Sequence, residues 1–179
     1  MLELKDLTKN TKYKIQVKKL YKKAFPANER PPFGALWRKA KKGKGELYAA
    51  TNKDMFVGLT HAVIYKNLVY VYFLAVEKNN RGKGFGSKIL AELKNKYKDY
   101  NIVLNIEELD ENVENFEDRL NRKKFYEKNG FRLTGIKTIE KGVRYDLMLC
   151  GEDTTYKEFA SLIKNFAGKL IYKLYFRQG

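Results

Sequence analysis

The chain has very little cysteine, histidine and proline: its 179 residues include one cysteine, one histidine and three prolines. The single Cys150 excludes an intramolecular disulfide framework and is typical of a protein from a reducing compartment. Because Cys150 ends the apolar run YDLMLC, its side chain is expected to pack in a strand rather than to act as a nucleophile. No Pro/Gly/Ser-rich linker divides the chain, which predicts one domain with an appended C-terminal helix.

Long apolar runs are also missing. No segment approaches the roughly 20 apolar residues that span a bilayer. The N-terminal MLELKDLTKN has no apolar core of a signal peptide. We therefore expect a soluble, cytoplasmic protein without a transmembrane segment, and we expect no metal site.

Positive charge, in contrast, is abundant, with a formal net charge of +16. Such a charge favours nucleic acid, an anionic membrane surface or a polyanionic small molecule as a partner. The alternative is a lysine-rich composition that only keeps the protein soluble, since the lysines are spread along the chain.

Hydrophobic periodicity predicts an alternation of helices and strands. Residues 11–24, with Ile15, Leu20 and Tyr21 at helical spacing, and the stretch after FPANERPPF predict two helices. ELYAAT, MFVGLTHAVIY and LVYVYFLAVE predict strands joined by short hairpin turns. A helix then separates LVYVYFLAVE from the strand NIVLNI, which predicts that these two strands are parallel neighbours. A helix over 113–128, a hairpin and a C-terminal amphipathic helix complete an α+β pattern.

The segment NNRGKGFGSKIL places three glycines between a strand and a helix. Glycines let backbone N–H groups converge, and a helix N-terminus favours an anion, so this loop is a candidate phosphate cradle. A Walker A loop is absent, and the dinucleotide fingerprint fails because Ser87 stands at its third glycine. The alternative is a glycine turn that only lets the strand and the helix pack closely.

Two motifs together carry a resemblance. LAVEKNNRGKGFGSKIL contains Arg81, Gly84 and Gly86 in an [QR]-x-x-G-x-[GA] pattern, and NRKKFYEKNGFRLTG ends a helix at Gly130 about forty residues later. In this order they resemble the acetyl-CoA-binding motifs of the GNAT superfamily of N-acetyltransferases, over roughly residues 45–150. The resemblance implies a mixed α+β fold with a central antiparallel–parallel twisted sheet flanked by helices. Residues 1–152 would form this domain, and 153–179 an extra amphipathic helix.

The resemblance also implies roles for individual residues. The backbone of Leu74, Ala75 and Val76 would hold the pantetheine arm of acetyl-CoA, and Tyr126 would protonate the departing thiolate. A phenol, with a reference pKa of about 10, is protonated at neutral pH and can donate. The diphosphate would be bound by the loop residues Arg81, Gly82, Lys83, Gly84, Phe85, Gly86 and Ser87.

The general base is less clearly indicated. Some members of the family carry a Glu at the position of Tyr70, so Glu107 at the end of the next strand and Glu29 in the proline loop are the candidates. His61, inside a predicted strand, is expected to be structural. Arg119 and Arg122 stand where the family often has Asn and Ala.

The resemblance implies transfer of an acetyl group from acetyl-CoA to a primary amine of a small molecule or a peptide. Residues 107–118 hold seven acidic residues, which predicts either an attraction for a cationic amine or the ordinary acidic start of a helix. A non-catalytic acetyl-CoA-binding protein and a basic nucleic-acid-binding module are the alternatives; nucleic acid is not expected because no RNA-recognition signature appears. The C-terminal helix is expected to pack on its own domain, then to form a homodimer contact, and last to bind a membrane surface.

Overall fold

Strands form where β-branched and aromatic residues are dense, and helices form where apolar residues recur every three or four positions. The structure is a computed structural model and describes residues 1–27 and 30–179. Its strands are β1 (Leu2–Asp6), β2 (Glu46–Asn52), β3 (Met55–Tyr65), β4 (Leu68–Val76), β5 (Asn101–Glu107), β6 (Arg132–Glu140), β7 (Val143–Cys150) and β8 (Phe176–Gln178). Its helices are α1 (Lys14–Ala24), α2 (Phe33–Lys41), α3 (Phe85–Lys96), α4 (Phe116–Lys128), α5 (Tyr156–Ala167) and α6 (Lys169–Tyr175).

Met1–Ile64 and Val71–Lys98 form one compact unit. In its sheet, β2 lies between β1 and β3, and both pairings are antiparallel. β3 is followed in the strand order by β4. The helices of this unit are α1, α2 and α3, which bury one apolar face each. Its fully buried core includes Leu7, Tyr21, Leu36, Leu59, Ile89 and Leu93.

Tyr65–Tyr70 and Asp99–Gly179 form the second unit. Here residues 68–70 of β4 run parallel to β5, with Tyr70 opposite Val103. β5 pairs antiparallel with β7, β7 with β6, and β6 with the short β8. The Phe159 ring of α5 meets the Tyr70 ring edge-on at 5.1 Å, which ties this helix to the sheet.

Two hairpin turns contain consecutive left-handed residues. Lys53 (φ +47°) and Asp54 (φ +61°) connect β2 to β3, and Lys141 (φ +49°) and Gly142 (φ +87°) connect β6 to β7. Consecutive positive φ values define the type I′ turn, whose twist matches that of antiparallel strands. The short hairpins expected from the sequence are therefore confirmed.

The predicted fold class is confirmed: the sheet is mixed, mostly antiparallel, and accompanied by helices. The expected parallel pairing across α3 is also confirmed, by β4 and β5. Within the described ranges, no helix is both long enough and apolar enough to cross a membrane. The division at residue 152 stays a prediction.

Several element boundaries differ from those expected. The helix predicted over 113–128 begins at Phe116, and Ile15 is exposed on α1 rather than buried. β1 was not predicted, because its five residues alternate too briefly to stand out. The expected single C-terminal helix is interrupted at Gly168 (φ +97°), which separates α5 from α6 and β8. The apolar period runs through this break, so periodicity alone could not reveal it.

Candidate functional site

The glycine loop follows β4 through a 3₁₀ turn at Lys78–Asn80 and ends where α3 begins at Phe85. Gly82 (φ +74°) and Gly84 (φ +75°) are both left-handed, a conformation that costs other residues about 1–2 kcal/mol. A Cβ built at either position has no heavy atom of the described chain within 4 Å. The Cβ direction of each of these two glycines therefore points to open space, so steric crowding by the strand or the helix does not explain the glycines.

Backbone donors are available at the start of α3, next to Gly84. The first bond of the helix runs from the Lys88 N–H to the Gly84 carbonyl oxygen at 3.1 Å. The N–H groups of Phe85, Gly86 and Ser87 thus belong to the first helical turn, whose donors have no acceptor within the helix. Such a turn carries partial positive charge and is suited to bind an anion.

Side chains fix the loop and add charge. Phe85 is buried and is followed by the fully buried Ile89, which anchors α3 beneath the loop. Arg81 and Lys83 are exposed, and Arg81 Nε donates to the Val76 carbonyl oxygen at 3.3 Å. The loop therefore combines an anchored helix, exposed glycines and two cations.

Gly58 in β3 is a site residue that the sequence analysis missed. A Cβ at Gly58 would lie 2.5 Å from the Ala75 carbonyl oxygen and 3.2 Å from Cδ1 of Ile89. Only glycine permits this approach of β3 to the segment Leu74, Ala75 and Val76. The signal was available, because a glycine inside an apolar strand marks a close backbone approach.

Tyr126 lies near the end of α4, in the second unit. Gly130 (φ +83°) terminates the helix, and the Phe131 N–H donates to the Tyr126 carbonyl oxygen at 3.1 Å. The Tyr126 ring packs between Phe125 and Phe131, with centroid distances of 5.1 and 5.8 Å. Burial raises the pKa of the Tyr126 phenol, and the nearby Arg122 charge opposes that rise. The phenol is therefore protonated at neutral pH.

Glu107 ends β5 in an ion-pair cluster with α4. Its Oε1 lies 3.2 Å from Nη2 of Arg119, and its Oε2 lies 2.5 Å from Nη1 of Arg122. Arg119 also donates to the Glu108 carbonyl oxygen at 2.8 Å. Each carboxylate oxygen of Glu107 therefore already contacts a guanidinium group, and a substrate proton would have to be accepted beside these two cations.

The sequence indicated the two arginines only as departures from the family pattern. Their pairing with Glu107 depends on the packing of α4 beside β5, which no local pattern encodes.

The other base candidates are placed differently. Glu29 lies outside the described residues. His61 is fully buried in β3, and Tyr70, at the position where some family members carry Glu, is a core residue against Phe159.

The acidic stretch 107–118 is partly neutralised. Glu108 pairs with Lys137 and with Arg144, whose Nε lies 2.7 Å from Oε2, and Lys137 first and Arg144 next lower the pKa of Glu108. Glu117 and Asp118 occupy the first turn of α4, where acidic residues complement the helix dipole. In the described part of the chain, no cluster of His, Cys, Asp or Glu could hold a metal ion.

The fold and the glycine loop together are typical of a GNAT acetyltransferase domain. The family model for the acetyltransferase (GNAT) domain matches residues 43–133, half of the chain, and the protein belongs to this family. The match extends from just before β2 to the start of β6, and so includes the glycine loop and Tyr126.

Individual known proteins are similar to this chain in sequence or in fold. A curated Bacillus subtilis protein named "Putative acetyltransferase YjbC" is 37% identical over 68 residues, which cover 38% of this chain and 33% of that protein. The matched segment thus spans a third of that relative. Among solved structures, a "Putative acetyltransferase from GNAT family" of Bacteroides thetaiotaomicron has a TM-score of 0.75 at 21% identity, covering 96% of this chain and 98% of that chain.

A second solved structure, Arabidopsis thaliana Naa50 with a bisubstrate analogue, has a TM-score of 0.60 at 23% identity, covering 84% of this chain and 99% of that chain. A third, an aminoglycoside 6′-N-acetyltransferase with coenzyme A, has a TM-score of 0.64 at 17% identity, covering 86% and 99%. Because these structures are no more than 23% identical to the chain, they show a shared fold and not a shared activity.

Proposed function

We propose that the protein is an acetyl-CoA-dependent N-acetyltransferase that moves an acetyl group to a primary amine. The observation that carries this proposal is the glycine loop in a chain of the GNAT family. Gly82 and Gly84 are left-handed, border open space and precede the donor turn of α3. A diphosphate fits such a loop, because N–H donors and the cations of Arg81 and Lys83 are available to it.

Within this proposal, the remaining residues take the roles that the family resemblance implies. The loop from Arg81 to Ser87 binds the diphosphate, and the backbone at Leu74, Ala75 and Val76 binds the pantetheine arm. The close approach of Gly58 to the Ala75 carbonyl oxygen holds this part of β4 in place. Residues 1–152 act as the acetyltransferase domain, and the protein works in the cytoplasm.

The chemistry requires an acid and a base. The acceptor amine attacks the thioester carbonyl carbon, the C–S bond breaks, and the Tyr126 phenol gives its proton to the departing thiolate. This role is supported by the half-buried phenol of Tyr126, whose raised pKa keeps it protonated and able to donate at neutral pH. The amine proton passes to a base, for which Glu107 and Glu29 are the proposed residues.

The acceptor is proposed as a small-molecule amine or a peptide. The titles of two solved structures name a bisubstrate analogue with the peptide MVNAL and an aminoglycoside acetyltransferase, which are acceptors of these two kinds. A second candidate function is acetyl-CoA binding without catalysis. It is favoured by Tyr70 at the position of the family Glu and by the ion pairs that occupy Glu107.

Thermal unfolding with and without ligands tests the proposal. We expect acetyl-CoA to raise the melting temperature selectively, because a ligand that binds only the folded state stabilises it by mass action. ATP, NAD and a short single-stranded RNA serve as comparison ligands. Stabilisation by RNA alone would favour the hypothesis of a nucleic-acid-binding module. Equal stabilisation by every phosphate compound would indicate that the loop binds phosphates only through its positive charge.

Release of the coenzyme A thiol in the presence of a panel of amines separates the two candidate functions. Turnover with any amine supports the transferase. Stabilisation by acetyl-CoA together with no turnover across aminoglycosides, polyamines and peptide N-termini supports the binding protein.

A further inference from the structure

Helix α6 exposes its apolar side to solvent. Leu170 is 71% exposed and Leu174 is 64% exposed, and Ile171 and Tyr175 beside them are close to half exposed. These four residues, the tail face, follow i, i+4 spacing in two adjacent rows and so form one surface of the helix. A surface helix of a soluble domain ordinarily turns such residues inward. The tail face therefore needs a partner.

The opposite side of α6 is held in place. The Tyr172 hydroxyl forms a 2.7 Å hydrogen bond with the Tyr156 hydroxyl of α5, and the Tyr172 ring stacks on Phe176 at 6.1 Å. The Lys141 N–H donates to the Tyr175 carbonyl oxygen at 2.9 Å. Beyond α6, β8 pairs with β6, with Phe176 opposite Glu140. These contacts fix the orientation of α6, so the tail face is held facing solvent by the packing of the other side of the helix.

The charges around the tail face have one sign. Residues 159–179 contain no Asp or Glu and include the cations Lys164, Lys169, Lys173 and Arg177. At 100° per residue, Lys173 lies on the flank of α6 next to Leu170, whereas Lys169 lies on the far side of the helix from the tail face. An occupant of this surface must be apolar where it meets the leucines and anionic where it meets the lysines.

Charge also decides between candidate occupants. A second copy of the chain carries the same net charge of +16 and the same acid-free tail, so bringing two tail faces together opposes like charges. A bilayer that contains anionic lipid is both apolar and anionic, as the tail face requires. Its acyl region accepts apolar side chains, and its headgroups attract lysine and arginine.

We propose that the tail face is a peripheral binding surface for anionic membranes. Helix α6 lies along the bilayer surface, with Leu170 and Leu174 inserted among the upper acyl segments and Lys173 at the anionic headgroups. Lys169, on the far side of the helix, adds to the positive charge near the surface. Ile171 and Tyr175 widen the inserted stripe. The proposal does not depend on the acetyltransferase function.

Vesicle co-sedimentation of the full chain tests it, using phosphatidylcholine vesicles with and without phosphatidylserine. We expect binding only when phosphatidylserine is present. The double variant L170Q/L174Q should bind at least tenfold more weakly, and K169Q/K173Q should lose at least about fivefold, mainly through Lys173. Glutamine keeps helix propensity, and unchanged melting temperatures would show that the variants fold.

Matched controls separate the tail face from the general charge of the protein. I15Q/M55Q removes two exposed apolar side chains elsewhere, and K18Q/K19Q removes two exposed lysines of α1. Both controls should leave vesicle binding within twofold of the parent. The proposal is overturned by absent binding, or by equal binding of L170Q/L174Q and the parent. Self-association without lipid that L170Q/L174Q abolishes would also overturn it, because a second copy would then cover the face.

Discussion

At the scale of single residues, Tyr126 is the proposed proton donor of the reaction. Phe125 and Phe131 contact its ring, and desolvation raises the pKa of the phenol above its usual value of about 10, so the phenol is protonated at neutral pH. We expect Tyr126→Phe to lower turnover at least about tenfold, because it removes the proton for the departing thiolate. The measurement is the steady-state rate of thiol release, combined with acetyl-CoA-induced thermal stabilisation, which should be retained. Tyr100→Phe, at an exposed tyrosine, is the control, and equal rates for the two variants would exclude the acid role.

Gly84 allows a matched test of the loop. Gly84→Ala introduces a Cβ at φ +75° that extends into the proposed diphosphate space. We expect a loss of about 1 kcal/mol in stability from the left-handed backbone, and at least a tenfold weaker dissociation constant for acetyl-CoA by calorimetry. Gly142→Ala has the same kind of strain at φ +87° and also borders open space, but lies in the turn between β6 and β7. An equal loss of affinity in Gly142→Ala would remove the loop from the binding site.

At the scale of elements, a buried cluster joins β2 to the end of α3. The hydroxyls of Tyr48 and Tyr97 both donate to one carboxylate oxygen of Glu46, and Lys96 Nζ lies 3.8 Å from it. Burial, followed by the bonds to Glu46, raises the pKa of both phenols. Both tyrosines therefore act as donors and not as anions across the neutral range.

Glu46→Gln should weaken this connection. The amide oxygen is a poorer acceptor than a carboxylate, and two buried phenols would compete for it, so we expect a loss of about 1–3 kcal/mol in the free energy of unfolding. Urea unfolding measures this change. Glu3→Gln, at an exposed glutamate that pairs with Lys5, should cost less than about 0.5 kcal/mol. If both variants lose the same amount, the cluster contributes nothing beyond surface charge.

Elements also show where sequence-based prediction succeeded and failed. The order of strands and helices followed from periodicity, and the glycine loop was located by its motif. Three features depended on tertiary packing instead. Gly58 lies against β4, and the tail face of α6 is turned to solvent. Glu107 forms ion pairs with Arg119 and Arg122. In each case the residue type was visible in the sequence, but its partner lies on another element.

At the scale of the whole molecule, one histidine governs stability in mildly acidic solution. His61 is fully buried, and burial, with a smaller contribution from Lys39, lowers its pKa to about 3. In the unfolded chain it takes up a proton below about pH 6.5, whereas the folded chain does not. The free energy of unfolding should therefore fall by up to about 1.4 kcal/mol for each pH unit as the pH decreases from about 6.5 toward 3.

The assignment of this pH dependence to His61 is testable because the chain has no other histidine. Urea unfolding at several values between about pH 5 and 7.5 should show this slope in the parent and a flatter one in His61→Gln. A slope that survives the substitution would assign the pH dependence to other groups. The test uses the change with pH, so a general loss of stability in His61→Gln does not affect it.

The family itself could be recognised from the sequence because GNAT motifs are local: a loop of seven residues and a helix end. The base and the acceptor could not be predicted in the same way, since both depend on side chains brought together from distant segments. Glu107 illustrates this limit, because its position suggested a base while its surroundings are two guanidinium groups.

The three residues of β8 have a consequence for aggregation. Without them, residues 138–140 at the end of β6 would present unpaired backbone donors and acceptors, which can pair with a strand from another molecule and lead to aggregation. β8 covers Thr138, Ile139 and Glu140 and offers only a short edge of its own, which carries Arg177. Because the outer edge of β8 is short and charged, it disfavours further strand pairing at this end of β6.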